Sequence, residues 1–218
     1  MSLFITFEGG EGSGKSTQAR ALHQRLSSMG IPALLTHEPG GTPLGHEIRR
    51  WLKGDRANDK VDVDPLTELL LFNASRAQLV AAVIRPALKR ETAVICDRFF
   101  HSTIAYQGYG RGLDLDLIEA ANNIATQGLR PDLVVLLDIP VGQGLSRKKL
   151  KDRFEREELA FHQRVRQSYL EMAKKDPWRW LLIDSSLPKR DIERQIWEKV
   201  EQLLPKERKS VENGVEKR

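Results

Sequence analysis

Residues 3–17, LFITFEGGEGSGKST, constrain this chain more than any other stretch. Leu3, Phe4, Ile5 and Phe7 make a short apolar run of strand character, a glycine-rich turn follows, and Lys15-Ser16-Thr17 opens a helical pattern. Gly9, four residues, then Gly14-Lys15-Ser16 is the spacing of the phosphate-binding P-loop, in the strand–loop–helix context that the motif needs. Glycines at 9, 10, 12 and 14 allow backbone conformations that a side chain forbids. Peptide N–H groups of Gly9, Gly10, Glu11, Gly12, Ser13 and Gly14 can then converge on a phosphate, at the positive end of the helix that begins with Lys15, Ser16 and Thr17. Lys15 is placed to reach the β- and γ-phosphates, and the Ser16 hydroxyl to ligate Mg²⁺. The stretch predicts a nucleoside triphosphate site with Mg²⁺ as cofactor.

Downstream, apolar runs of strand length alternate with helical periodicity. Strands are expected at 33–36, 92–97, 133–137 and 180–183, and helices at 15–29, 43–53, 142–176 and 188–204. Another helix opens at Asp64-Pro65, a capping side chain followed by proline in the first turn, and Pro86 should kink or break it. Asp114 caps a further helix, whereas 99–111 reads only as a polar and aromatic segment with two glycines. The runs at 92 and 133 are apolar on both faces, the mark of a parallel sheet covered by helices on both sides. The expected fold is α/β: a P-loop NTPase with a five-stranded parallel sheet flanked by helices. Ligands in such sheets sit at the carboxyl ends of the strands, so the loops after Phe7, Thr36, Asp97 and Leu137 should surround one site.

The net charge of +5 is local rather than spread over a face. Residues 147–153 (RKKLKDR) and the tail 206–218 more than account for it, which argues against a nucleic-acid partner. The apolar runs look short of a membrane span, and no basic-then-apolar leader is evident. A lone Cys96 excludes an internal disulfide and fits a reducing, cytoplasmic setting. The scattered histidines show no metal spacing, and Trp51, Trp178, Trp180 and Trp197 read as core or interface anchors. One domain is expected over 1–205, with a lid at about 143–155, and 206–218 as a charged, flexible tail.

An apolar strand ending in Asp is what a P-loop enzyme uses to hold Mg²⁺. Asp97 and Asp138 both match, and Arg98 beside Asp97 favours the first, since an arginine there can grip a second phosphate bidentately. Together with HEPGGT at 37–42, LLLFNASRAQ at 69–78, DRFFHSTIAYQGYGRG at 97–112 and DRFE at 152–155, the chain resembles the bacterial thymidylate kinases. That resemblance implies a cytoplasmic homodimer that transfers the γ-phosphoryl of ATP to dTMP. It further implies that Phe72 stacks on thymine, that Arg76 donates to the base O4, and that Thr103 and Gln107 contact the base edge. Tyr106 would crowd a ribose 2′-hydroxyl, Arg98 and Arg49 would lie near the dTMP phosphate, and Glu11 would meet the sugar 3′-hydroxyl or the metal shell, with Glu38 also among the substrate contacts. Ser16 and Asp97 would organise the metal.

Gly12 stands where some members carry an arginine, so the transfer-site arginine should come from the lid. Arg153 is the first candidate and Arg147 the second, ahead of Lys148, Lys149 and Lys151. His37 replaces the arginine usual before Glu-Pro-Gly-Gly. Two other functions share parts of this pattern: a deoxynucleoside kinase, and a regulatory P-loop NTPase, which would need a guanine-reading Asn-Lys-x-Asp that the sequence lacks.

Overall fold

Alternation along the strands divides the core of this protein, whose computed structural model describes residues 2–53, 63–147 and 153–205. Strands β1 (Phe4–Glu8), β2 (Ala33–His37), β3 (Ala93–Asp97), β4 (Leu133–Asp138) and β5 (Trp180–Asp184) form one parallel sheet in the order β2-β3-β1-β4-β5. Register sets Ile5 opposite Ile95 on one side and Leu133 on the other. Because successive side chains point to opposite faces, Ile5, Phe7, Ile95, Leu133, Val135 and Leu137 share one face. They pack on Leu22 and Leu26 of helix α1 (Lys15–Ser28), and on residues that include Ile192 and Ile196 of α9 (Lys189–Leu203).

The opposite face is covered in two parts. Phe4, Val94 and Cys96 meet Leu79, Val80 and Ile84, while Val134 and Leu136 meet Phe161, Val165 and Tyr169 of α8 (Leu159–Lys175). Each such side chain, taken from water, stabilises the fold by roughly 1.5–3 kcal/mol. The remaining helices described are α2 (Pro43–Lys53), α3 (Pro65–Leu79), α4 (Arg85–Lys89), α5 (Phe100–Thr103), α6 (Leu115–Thr126) and α7 (Val141–Ser146).

Pro86 does not break its helix. A π-helical turn, Val80–Ile84, joins α3 to α4, and Pro65–Lys89 runs on as one helical segment of 25 residues. The wider turn accommodates the missing N–H and keeps the preceding carbonyls clear of the proline ring. That segment is long and apolar enough to cross a membrane by length and composition alone, contrary to the expectation for apolar runs. Here it is a core helix: Leu69, Leu79, Val80 and Ile84 are buried, and so are its polar residues Glu68, Asn73, Ser75 and Arg76. The segment 99–111 is also more regular than its sequence suggests, since α5 continues into a π-helix, Ile104–Gly110. Trp180 and Trp197 belong to the core, whereas Trp51 and Trp178 are exposed. The expected tail lies outside the described residues, as does the central part of the basic cluster, 148–152.

Candidate active site

A cavity of about 500 Å³ opens at the carboxyl ends of β1, β2 and β3, with the P-loop along one wall. Its floor follows from backbone geometry. Gly9, Gly12 and Gly14 have φ of 139°, 68° and 91°, values that suit residues without a Cβ. A Cβ on Gly12 would overlap the carbonyl of Gly144 in α7, so the loop packs on that helix backbone to backbone. Position 12 therefore has no room for an arginine.

Lys15 curls back into its own loop. Its Nζ donates to the Gly9 and Gly10 carbonyls at 3.0 and 2.7 Å and to Ser13 Oγ at 3.3 Å. Burial, with Arg98 as a second cation nearby, lowers its pKa to about 8. The Ser16 hydroxyl donates to Asp97 Oδ2 in a short hydrogen bond between the two groups expected to hold a metal. A hydroxyl and a carboxylate converging beside a phosphate loop fit a hard, oxygen-seeking cation such as Mg²⁺. Asp138, the rival strand-end acid, is held by Arg166 through two 2.8 Å bonds and does not line the cavity.

Arg98 occupies a strained turn, with φ at 72°. Its backbone N–H donates to the Phe7 carbonyl, and the next N–H, of Phe99, donates to Glu8 Oε1 at 2.8 Å. The side chain reaches Glu11 Oε1 at 2.6 Å, Tyr106 OH at 3.1 Å, Ser102 Oγ at 3.2 Å and the Gly9 carbonyl at 3.3 Å. Tyr106 OH donates to the same Glu11 oxygen at 2.7 Å. Beneath them Glu8, fully buried, accepts from Ser102 Oγ and Tyr169 OH, and burial pushes its carboxyl above the usual range.

The far end of the cavity is aromatic and amide-lined. Phe72, Tyr106 and Phe154 lie around it, with the Phe72 and Phe154 centroids 5.8 Å apart and Tyr106 and Phe154 6.1 Å apart. Thr103 and Gln107, placed by α5 and the π-helical turn after it, complete that wall. Arg76 stands behind the wall and is 1% exposed. Its five N–H groups meet Glu38 Oε2 twice at 2.8 Å, Thr103 Oγ1 at 2.9 Å, Asn122 Oδ1 at 2.8 Å and Asn73 Oδ1 at 3.1 Å. Donation to a base requires Arg76 to release one of these partners, of which Thr103 and Glu38 reach the cavity wall.

Glu38 and Arg49 also line the cavity. Burial raises the Glu38 carboxyl to about 7 against the pull of Arg76, and its Oε1 accepts no hydrogen bond. Arg49 donates to the Pro39 carbonyl at 3.1 Å. His37 is half-buried beside Arg49, and both effects lower its proton affinity, so the imidazole is neutral at pH 7.

The two arginines proposed for the lid part company. Arg147 contacts the Gly12 and Ser185 carbonyls and lines the cavity beside the P-loop. Arg153, ranked first from sequence, instead donates to Glu68 Oε2 at 2.5 Å and to the Leu52 carbonyl at 3.1 Å, on the aromatic side. Lys148, Lys149 and Lys151 lie outside the described residues. Sequence reasoning missed Glu8, Glu68, Ser102 and Phe154. Glu8 carried one usable signal, an acid inside an apolar strand that must be paired if buried; Glu68 carried another, a carboxylate on the apolar helix face.

A family model described as thymidylate kinase matches residues 7–196. The thymidylate kinase of Dehalococcoides mccartyi (strain CBDB1) is 51% identical over 206 residues, covering 94% of this chain and 98% of its own. That of Thermomicrobium roseum is 48% identical over 214 residues, covering 96% and 100%. Among solved structures, the thymidylate kinase from Ehrlichia chaffeensis is similar with a TM-score of 0.73 at 35% identity, covering 91% of this chain and 98% of that one.

Proposed function

We propose a division of labour among the residues of the cavity from the premise that this chain belongs to the thymidylate kinase family. The enzyme transfers the γ-phosphoryl group of ATP to dTMP, giving dTDP and ADP. Membership sets aside the deoxynucleoside kinase and the regulatory NTPase.

Phosphoryl transfer asks a protein mainly for positioning and for positive charge around a group that carries charge on its oxygens. Lys15 and the loop amides hold the phosphates of ATP, with Lys15 exchanging its carbonyl partners for phosphate oxygens. Ser16 and Asp97 are the residues that would hold Mg²⁺, which when bound would neutralise part of the negative charge on the phosphates. Arg98 clamps the acceptor phosphate, and Arg49 supports it from α2. Glu11 and Tyr106 orient Arg98 while presenting a carboxylate and a phenol to the sugar, Tyr106 excluding a 2′-hydroxyl. Phe72 stacks on the base with Phe154 beside it, and Thr103, Gln107 and, after exchange, Arg76 read the base edge, with Glu38 aligning Arg76.

Arg147, rather than Arg153, is the arginine that meets the transferring group, because its guanidinium sits at the Gly12 carbonyl while Arg153 is anchored to Glu68. Residues 1–205 act as one kinase domain with a lid at about 143–155. A cytoplasmic homodimer completes the reading, supported by a sole cysteine that is buried and by apolar residues left exposed on α3 and α6.

The observation that carries this reading is that one cavity holds the Ser16–Asp97 pair, the Arg98–Glu11 pair and the Phe72 ring. The test measures ADP release from ATP-Mg²⁺ with dTMP, thymidine, dUMP, dCMP or no acceptor. Strong release with dTMP and silence with thymidine is the expected pattern. Arg147→Ala should lower kcat by about 10³, the low end of what an arginine in cis contributes, whereas turnover within twofold of wild type would refute its assigned role.

A further inference from the structure

Gln107 lines the base end of the cavity but is not free to choose which end of its amide it shows there. Its Nε2 lies 2.6 Å from Glu68 Oε1. A carboxylate accepts hydrogen bonds and donates none, so the amide nitrogen must be the group facing it. The oxygen of Gln107 is then turned away from Glu68, and no described residue donates to it. Glu68 is itself fully buried and fixed by two guanidinium groups. Arg111 reaches Oε1 with Nε at 3.3 Å and Oε2 with Nη2 at 3.2 Å, and Arg153 reaches Oε2 at 2.5 Å. Arg111 is in turn braced by Glu157 at 2.6 Å and lies over the Phe161 ring at 4.9 Å.

We propose that Glu68, which does not touch the cavity, is the positioning residue that sets base specificity, by locking Gln107 so that its amide oxygen faces the base. An acceptor at that point matches a pyrimidine whose ring nitrogen carries a proton, as in thymine or uracil. It repels a pyrimidine whose ring nitrogen bears a lone pair, as in cytosine. Rejection through a mismatched buried polar group is far stronger than rejection by shape alone. The inference rests on the acceptor pocket assigned above and names the group that polarises it.

Glu68→Gln tests it, because a glutamine can both donate and accept and so releases the amide of Gln107 to turn over. The measured quantity is the ratio of kcat/KM for dTMP to that for dCMP, with KM for ATP recorded alongside. The ratio is expected to fall at least tenfold, through a higher KM for dTMP and a lower one for dCMP, with KM for ATP within twofold of wild type. A purely structural role would alter stability and leave the ratio unchanged, and a ratio within twofold of wild type overturns the proposal. If Glu68→Gln does not fold, Gln107→Leu serves instead, since it removes the reading group. Loss of discrimination supports the proposal, and retention overturns it. Wild-type enzyme that does not prefer dTMP over dCMP would overturn the pocket assignment itself, a separate and recognisable failure.

Discussion

Lys15 shows how much a single residue's surroundings set its chemistry. Its ammonium is enclosed by its own loop, and burial reinforced by Arg98 brings its pKa from 10.5 to about 8. Between about 8 and 10.5 the native protein therefore holds fewer protons than the unfolded chain, and Lys15 makes stability rise with pH across that window. Phosphate binding runs the other way, because it needs the charged form. KM for ATP should be flat below about pH 8 and climb above it, while the ligand-free protein melts no lower. Steady-state kinetics and thermal melts over pH 7–10 check both trends, and a KM for ATP that stays flat through pH 9 would mean that Lys15 is not the titrating group. Arg98 makes a related point. Its positive φ costs of order 1 kcal/mol or more, and the Phe7 carbonyl, the Glu8 carboxylate and the Glu11 ion pair hold it there.

At the scale of elements, the P-loop and α7 are joined by two glycines. A Cβ on Gly12 would overlap the Gly144 carbonyl, and a Cβ on Gly144 would overlap the Glu11 carbonyl. Backbone cannot yield as a side chain can, so Gly144→Ala should push α7 off the loop. The cost expected for such overpacking is about 1–3 kcal/mol, seen as a lower Tm together with a KM for ATP raised at least fivefold. Unchanged ATP binding would show that the loop does not depend on α7. The two π-helical segments matter for a different reason. Val80–Ile84 carries the long helix past Pro86, and Ile104–Gly110 sets where Tyr106 and Gln107 point. Neither was legible beforehand: a proline signals interruption, and a stretch rich in aromatics and glycine signals no regular element, whereas packing on the sheet retained both as helix.

For the whole molecule, the exposed apolar residues mark the face on which the proposed second copy would sit. Leu66 and Leu70 on α3 and Leu117 and Ile124 on α6 are 44–78% exposed, on helices that pack against one another. Leu70→Glu should convert the proposed homodimer to monomer in sedimentation velocity, with the melting temperature of the monomer little changed, because Leu70 buries little within the chain. A variant that sediments as wild type would place the contact elsewhere. The fold itself was largely readable. The alternation of Phe4, Ile5 and Phe7 about the sheet, the apolar runs of β3 and β4, and the Asp64 and Asp114 caps, each accepting two backbone N–H groups, are all local patterns in the chain.

Local order along the sequence determined the P-loop, the parallel α/β sheet and the candidacy of Asp97, because each depends on neighbours within a few residues. Tertiary structure decided what depends on distant partners. Ser16 meets Asp97 across 81 positions, and Asp138 is taken by Arg166 across 28. Arg153 is drawn to Glu68 across 85, and Gln107 is turned by the same carboxylate across 39. A hydrogen-bond donor shows its type in the sequence, but only the folded chain shows which acceptor has claimed it.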